Sequence, residues 1–194
     1  MKDNILIMSM QKVFRKLLKS MSQPGVISCV GEAENIDYNF NCLPVSMLLM
    51  SALLDAEVKF YVESNENDLK EQISRLTYST YEKISEADYI FVCMDNHEQL
   101  RRIISEAKRG TLSDPHEGAT IIIEVENISS DETLILTGPG IKEKAYLSVP
   151  LSSSWIEARN DANKEFPMGV DIIFADRNNN MAALPRTTKI ERRN

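Results

Sequence analysis

Between residues 58 and 110 the chain switches repeatedly between two hydrophobic periods, and few folds accommodate that pattern. "VKFYV" (58–62) and "YIFVC" (89–93) read as short apolar strands, whereas 67–78, with Leu69, Ile73 and Leu76 on one face, and 97–109, closed by Gly110, read as helices. Strands alternating with helices favour a parallel sheet with helices packed on its faces. The Asn96 side chain is placed to cap the second of these helices. After Gly110 the rhythm changes to pairs of strands: "ATIIIEV" (119–125) with "TLILT" (133–137), and "VDIIFA" (170–175) with "MAAL" (181–184) across "DRNNN". These are hairpin signals, so the predicted sheet is mixed, with antiparallel strands in its second half. The expected fold is α/β, with three layers in α/β/α order.

Upstream, Met10, Val13, Phe14, Leu17, Leu18 and Met21 recur at helical spacing, which predicts one apolar stripe, with Lys12, Arg15, Lys16 and Lys19 on the other side. That helix stops at "SQPG", before a short strand "VISCV". A second helix starts near Pro44, a residue suited to a first helical turn, and is apolar nearly all round, so it should be enclosed. A helix near Ser153–Asn163, carrying Trp155, separates the two hairpins. Glycines and prolines fall almost entirely at element ends and no linker divides the chain, so residues 1–194 are expected to form a single domain.

Composition narrows the function. The stretch "LPVSMLLMSALL" (43–54) is interrupted by Ser46 and Ser51 and is too short to span a bilayer, and the N-terminal apolar segment is too brief for a secretory signal. The expectation is a cytoplasmic protein without a membrane partner. Cys29, Cys42 and Cys93 form no C-x-x-C pair, and the two histidines, His97 and His116, leave few routes to a metal cluster or a triad. The net charge is -7, and the segment 55–98 accounts for it, while the first helix and the tail (Arg186, Lys189, Arg192, Arg193) are locally basic. Such asymmetry suits a phosphorylated ligand or an acidic partner, while a pI near 5.0 argues against general nucleic-acid binding.

Three motifs have both a functional and a structural interpretation. In "LTGPGI", Gly138 and Gly140 surround a proline after a strand; the turn either aims backbone N–H groups at an anion or needs glycine for its own dihedral angles. In "ALPRTT", Pro185 ends a strand, making Leu184 its last inward residue, and Arg186 leaves the sheet on a rigid lead-in. Its guanidinium, with the hydroxyls of Thr187 and Thr188, suits a phosphate or carboxylate, or a structural acid, for which Asp171 in "FPMGVDIIF" is the candidate. His116 in a loop is either solvated or an acid or base, and Arg15 on the first helix is either solvated or turned to a ligand or partner. No phosphate-binding loop of the ATPase or dinucleotide kind is present.

Five phrases, "FRKLLKSMSQPGVI" (14–27), "EGATIII" (117–123), "LTGPGI" (136–141), "FPMGVDIIF" (166–174) and "ALPRTT" (183–188), together resemble the PhnH family of the bacterial carbon-phosphorus lyase system. The resemblance spans nearly the whole chain and departs after the second helix, where the family carries a Thr-Pro and a tryptophan and this chain reads "DAEVKFYV". It implies the fold of pyridoxal-phosphate-dependent transferases without the cofactor, a homodimer when alone, and sister subunits in a larger complex. It also implies an accessory role in alpha-D-ribose 1-methylphosphonate 5-triphosphate synthase, where methylphosphonate displaces adenine from ATP and another subunit carries the nucleosidase chemistry. No bound pyridoxal phosphate is expected, since the strand before "ALPRTT" offers no lysine framed for a Schiff base; Lys142, Lys144 and Lys164 are the lysines left open for one. The alternatives are a phosphate-binding enzyme or sensor acting alone, using Arg186 and the glycine turn, and an interaction domain whose acidic segment meets basic partners.

Overall fold

The isoleucine run of "ATIIIEV" decides where the centre of the molecule lies, because a strand apolar on successive residues must be covered on both faces. In the computed structural model, which describes residues 2–35, 41–65 and 68–193, this run is β5 (Thr120–Val125), with Ile121 to Val125 all buried. β5 pairs in parallel with β4 (Tyr89–Val92) on one side and β8 (Asp171–Asp176) on the other. Beyond β4 lie β2 (Lys59–Glu63) and the edge strand β3 (Thr80–Tyr81), also parallel. Beyond β8, β9 (Asn180–Leu184) pairs antiparallel with β8, and β1 (Ser28–Cys29) pairs antiparallel with β9. Among the described residues this sheet has the order β1-β9-β8-β5-β4-β2-β3, so it is mixed as expected.

The hairpin predicted across "DRNNN" is present. Asp176 is fully buried in its turn and accepts the N–H groups of Asn178 and Asn180 through Oδ1 and that of Ile128 through Oδ2, while Asn179 takes the left-handed conformation. The other predicted hairpin does not form. Both sides of β5 are taken by parallel partners, so β6 (Ser129–Thr137) leaves the sheet and pairs instead with β7 (Ala145–Ser148) and β10 (Lys189–Arg192). The chain therefore does not end its inward packing at Leu184: after the turn at Pro185 to Thr188, β10 buries Ile190 against this small sheet.

Alternate residues of the central strands feed two cores. Ile122, Ile173 and Phe91 meet α1 (Lys2–Ser22), α2 (Pro44–Leu53) and α3 (Leu69–Thr77); Ile121, Ile123, Ile172 and Phe174 meet α4 (Leu100–Glu106), α5 (Ser154–Ala162) and the small sheet. Two local expectations are corrected. Phe14 and Leu18 belong to no core, being 42% and 53% exposed; Val13 and Leu17 alone carry the middle of α1 against β9 and α2. Asn96 caps nothing: it kinks a 3-10 segment (Met94–Gln99) before α4, and its Nδ2 donates to Asn65 Oδ1 at 3.0 Å. No helix among the described residues is long and apolar enough to cross a membrane.

Candidate functional site

The proline that ends β9 leaves the next N–H, that of Arg186, pointing out of the ladder, and Asp171 at the start of β8 receives it at 2.6 Å through Oδ1. The same carboxylate takes the guanidinium: Nε at 3.3 and 3.2 Å and Nη2 at 2.6 Å. Nη1 donates to the Pro115 carbonyl at 2.6 Å and Nη2 also approaches that of Gly118 at 3.4 Å. Arg186 thus ties the exit of β9, the start of β8 and the loop leading into β5, with both side chains of the pair largely buried. Gly118 makes this possible by being small: a Cβ there would stand 2.3 Å from the Gly169 carbonyl and 2.6 Å from Arg186 Nη1.

Behind this pair lies a residue that sequence reasoning missed. Arg159 of α5 is 1% exposed, forms no ion pair among the described residues, and spends its guanidinium on the backbone of the same turn. Nη1 donates to Thr188 O at 3.0 Å, and Nη2 donates to Pro185 O at 2.6 Å and Leu184 O at 3.4 Å. Burial lowers its pKa to about 10, opposed by the Asp171 charge, so it stays a cation at neutral pH. Thr188 is buried with its hydroxyl unpartnered among the described residues, and Thr187 is half-buried. The glycine turn closes the assembly. A Cβ on Gly140 would lie 2.2 Å from the Ser22 carbonyl at the end of α1, and one on Gly138 2.9 Å from that of Thr187. Arg15 is exposed on α1 and His116 is exposed in its loop; neither joins this cluster.

The second place of interest is a polar cleft of about 430 Å³ outside the carboxyl ends of β2, β4 and β5, where open parallel sheets generally bind ligands. Cys42, Asn65, Cys93, Asn96, Glu124 and Arg177 line it. Glu124 is buried near the end of β5 and accepts the N–H of Leu43, just before α2, at 2.7 Å. Burial raises its pKa, opposed by the N–H groups of Leu43 and Met94 and by the Ser46 hydroxyl. His97 meets the Glu124 backbone oxygen at 2.6 Å. Arg177, the cation at the rim, is paired with Glu126 at 2.7 Å. Burial and the Glu124 charge push the Cys93 thiol up to about 12 and the Cys42 thiol higher still, so neither is a thiolate nucleophile at neutral pH. Among the described residues no group of three or more His, Cys, Asp or Glu is arranged to hold a metal ion. The signal for this cleft was one acid inside an apolar run, which reads in sequence as a solvent-facing strand residue.

A family model described as bacterial phosphonate metabolism protein (PhnH) matches residues 5–191. The chain belongs to the PhnH family. A protein of Stutzerimonas stutzeri named HtxG, assigned to the C-P lyase subunits, is 30% identical over 182 residues, 93% of this chain and 85% of that one. The alpha-D-ribose 1-methylphosphonate 5-triphosphate synthase subunit PhnH of Rhizobium meliloti (strain 1021) is 33% identical over 84 residues, 43% of this chain and 42% of that one.

Within this PhnH-family fold the five phrases of the resemblance converge on one place. "EGATIII" supplies Gly118, "FPMGVDIIF" supplies Gly169 and Asp171, and "ALPRTT" supplies Arg186. "LTGPGI" wedges between Thr187 and the end of α1, which belongs to "FRKLLKSMSQPGVI". The phrases mark a structural joint. The lining of the cleft that carries polar chemistry lies outside them.

Proposed function

We propose that the chain is an accessory subunit of the carbon-phosphorus lyase machinery of phosphonate catabolism, supporting transfer of the ribose triphosphate of ATP to methylphosphonate with release of adenine. One observation carries this reading: the residues through which the chain resembles its family are engaged with one another. Arg186, the best candidate for gripping a phosphate, is held by Asp171 and two carbonyls, with Arg159 behind it holding the same turn. A phosphate-binding enzyme or sensor acting alone would need those donors turned outward. The reading extends to a cytoplasmic, single-domain protein of the pyridoxal-phosphate-transferase type that works without that cofactor, forms a homodimer when alone and joins sister subunits. Lys142, Lys144 and Lys164 are all exposed and none lines the cleft, which does not fit a covalently held pyridoxal phosphate.

The test is reconstitution. The purified chain alone should release no adenine from ATP and methylphosphonate, and the sister subunits should lose activity when it is omitted. Adenine release by the isolated chain, abolished by Arg186→Ala without unfolding, would support the stand-alone alternative instead.

A further inference from the structure

The apolar pattern of α1 does more than the core requires. Val13, Leu17, Ser9 and Ser20 face inward, and Ser20 also meets the Ser28 hydroxyl of β1 at 2.9 Å, which fixes the rotation of the helix. On the outside, Ile7, Phe14 and Leu18 are 52%, 42% and 53% exposed, and Met8 is 59% exposed. At 3.6 residues per turn, Ile7, Phe14 and Leu18 fall within about 40° of one another and form a ridge about 16 Å long. Arg15, Lys12 and Lys19 follow on one flank of the ridge, and none of them forms an ion pair among the described residues. Between Asn4 and Gly31 the chain has no acid; Glu32 is engaged by Lys16 at 2.6 Å.

We infer that this face of α1 is a docking surface for a partner protein that offers an apolar groove bordered by carboxylates. Large apolar side chains in a line, exposed and flanked by cations, match the helix-in-groove mode of recognition, where the ridge supplies the anchors and the charges set the orientation. Charge chooses among the occupants. A second copy meeting this face across a two-fold axis would bring Arg15, Lys12 and Lys19 against their own counterparts, with Asp3 the one acid in the sequence of α1. An acidic partner is steered correctly, because α1 lies over the β1–β9 side of the sheet and the acidic 55–98 segment builds the opposite β2–β3 edge, giving the molecule a basic and an acidic pole.

The inference rests on the proposed accessory role, which supplies the partner for the experiment: the sister carbon-phosphorus lyase subunits, co-expressed with the tagged chain. Phe14→Glu/Leu18→Glu should weaken association at least tenfold with an unchanged melting temperature, because both positions are exposed. Arg15→Glu/Lys19→Glu should weaken it and flatten its dependence on NaCl between 50 and 500 mM, and Phe14→Ser/Leu18→Ser provides a variant without added charge. Wild-type yield of complex from all three variants overturns the inference and leaves the accessory role standing. A wild-type chain that assembles with no subunit overturns the accessory role and this occupant with it. Conversion of a dimer to a monomer by Phe14→Glu/Leu18→Glu with the complex intact assigns the face to a second copy, and loss of sedimentation with phosphatidylserine-containing vesicles assigns it to membrane; either outcome refutes the inference.

Discussion

Replacing Arg159 separates two opposing energies in the joint beneath the "ALPRTT" turn. Its two well-formed bonds, to Pro185 O at 2.6 Å and Thr188 O at 3.0 Å, are charge-assisted and of a kind that contributes about 1.5–3 kcal/mol each. Against this, the pKa lowered to about 10 means that keeping the buried cation charged costs about 3 kcal/mol. Pro185 O retains the N–H of Thr188 at 2.9 Å when the arginine is removed, so Thr188 O is the acceptor left most exposed to loss. Arg159→Met fills much of the space and removes the desolvated charge, and should cost about 1–3 kcal/mol, the price of one buried unsatisfied carbonyl. Arg159→Ala adds a cavity and should cost about 4–5 kcal/mol. Arg159→Lys keeps a buried charge but cannot fork between the carbonyls, so it should be less stable than Arg159→Met despite being the conservative change. Urea unfolding followed by circular dichroism measures all three; the alanine variant should lower the midpoint by about 1.5–2 M for a typical slope. A lysine variant as stable as wild type, or a methionine variant less stable than lysine, would refute the argument that the fork holds the turn.

Further expectations concern other parts of the molecule. Gly118→Ala should destabilise by about 2–3 kcal/mol, because its Cβ meets backbone at Gly169 and the Arg186 guanidinium; a melting temperature equal to wild type would contradict the close approach. Because burial holds the Glu124 carboxyl above the ordinary 4.5, the folded chain retains its proton where the unfolded chain has lost it. Stability from this residue should therefore fall as pH rises from 4.5 through the raised value, and Glu124→Gln, which keeps an acceptor for the Leu43 N–H, should flatten that dependence in chemical denaturation. An unaltered slope would show that another group sets it. Of the three thiols, exposed Cys29 should react fastest with a disulfide reagent in the native protein, half-buried Cys42 more slowly and buried Cys93 slowest; three equal rates would disprove that order.

What the sequence revealed, and what it concealed, follows from how local each signal is. The alternation from 58 to 110 and the tight turn at "DRNNN" are satisfied within a few residues, and the parallel strands and the β8–β9 hairpin are where the pattern puts them. The pairing of β6 is not local: eight residues separate its apolar core from β5, a spacing equally compatible with a hairpin and with a strand that departs because both sides of β5 are occupied. β10 has a single buried side chain, Ile190, too little to register as a strand. On α1, helical spacing grouped Phe14 and Leu18 with Val13 and Leu17, but spacing does not say how wide a stripe the neighbours cover. The Asp171–Arg186 contact was legible because a proline stop and a strand-start acid each leave a group needing a partner. Arg159 was not, since "SWIEARND" reads as a polar helix face until the β9–β10 turn is folded over it.

The account is tested most directly by native mass spectrometry of the tagged chain purified from cells expressing the full set of carbon-phosphorus lyase subunits. It predicts one particle of fixed stoichiometry containing this chain. Recovery of the chain only by itself, in cells where the remaining subunits assemble and turn over phosphonate without it, would contradict the account.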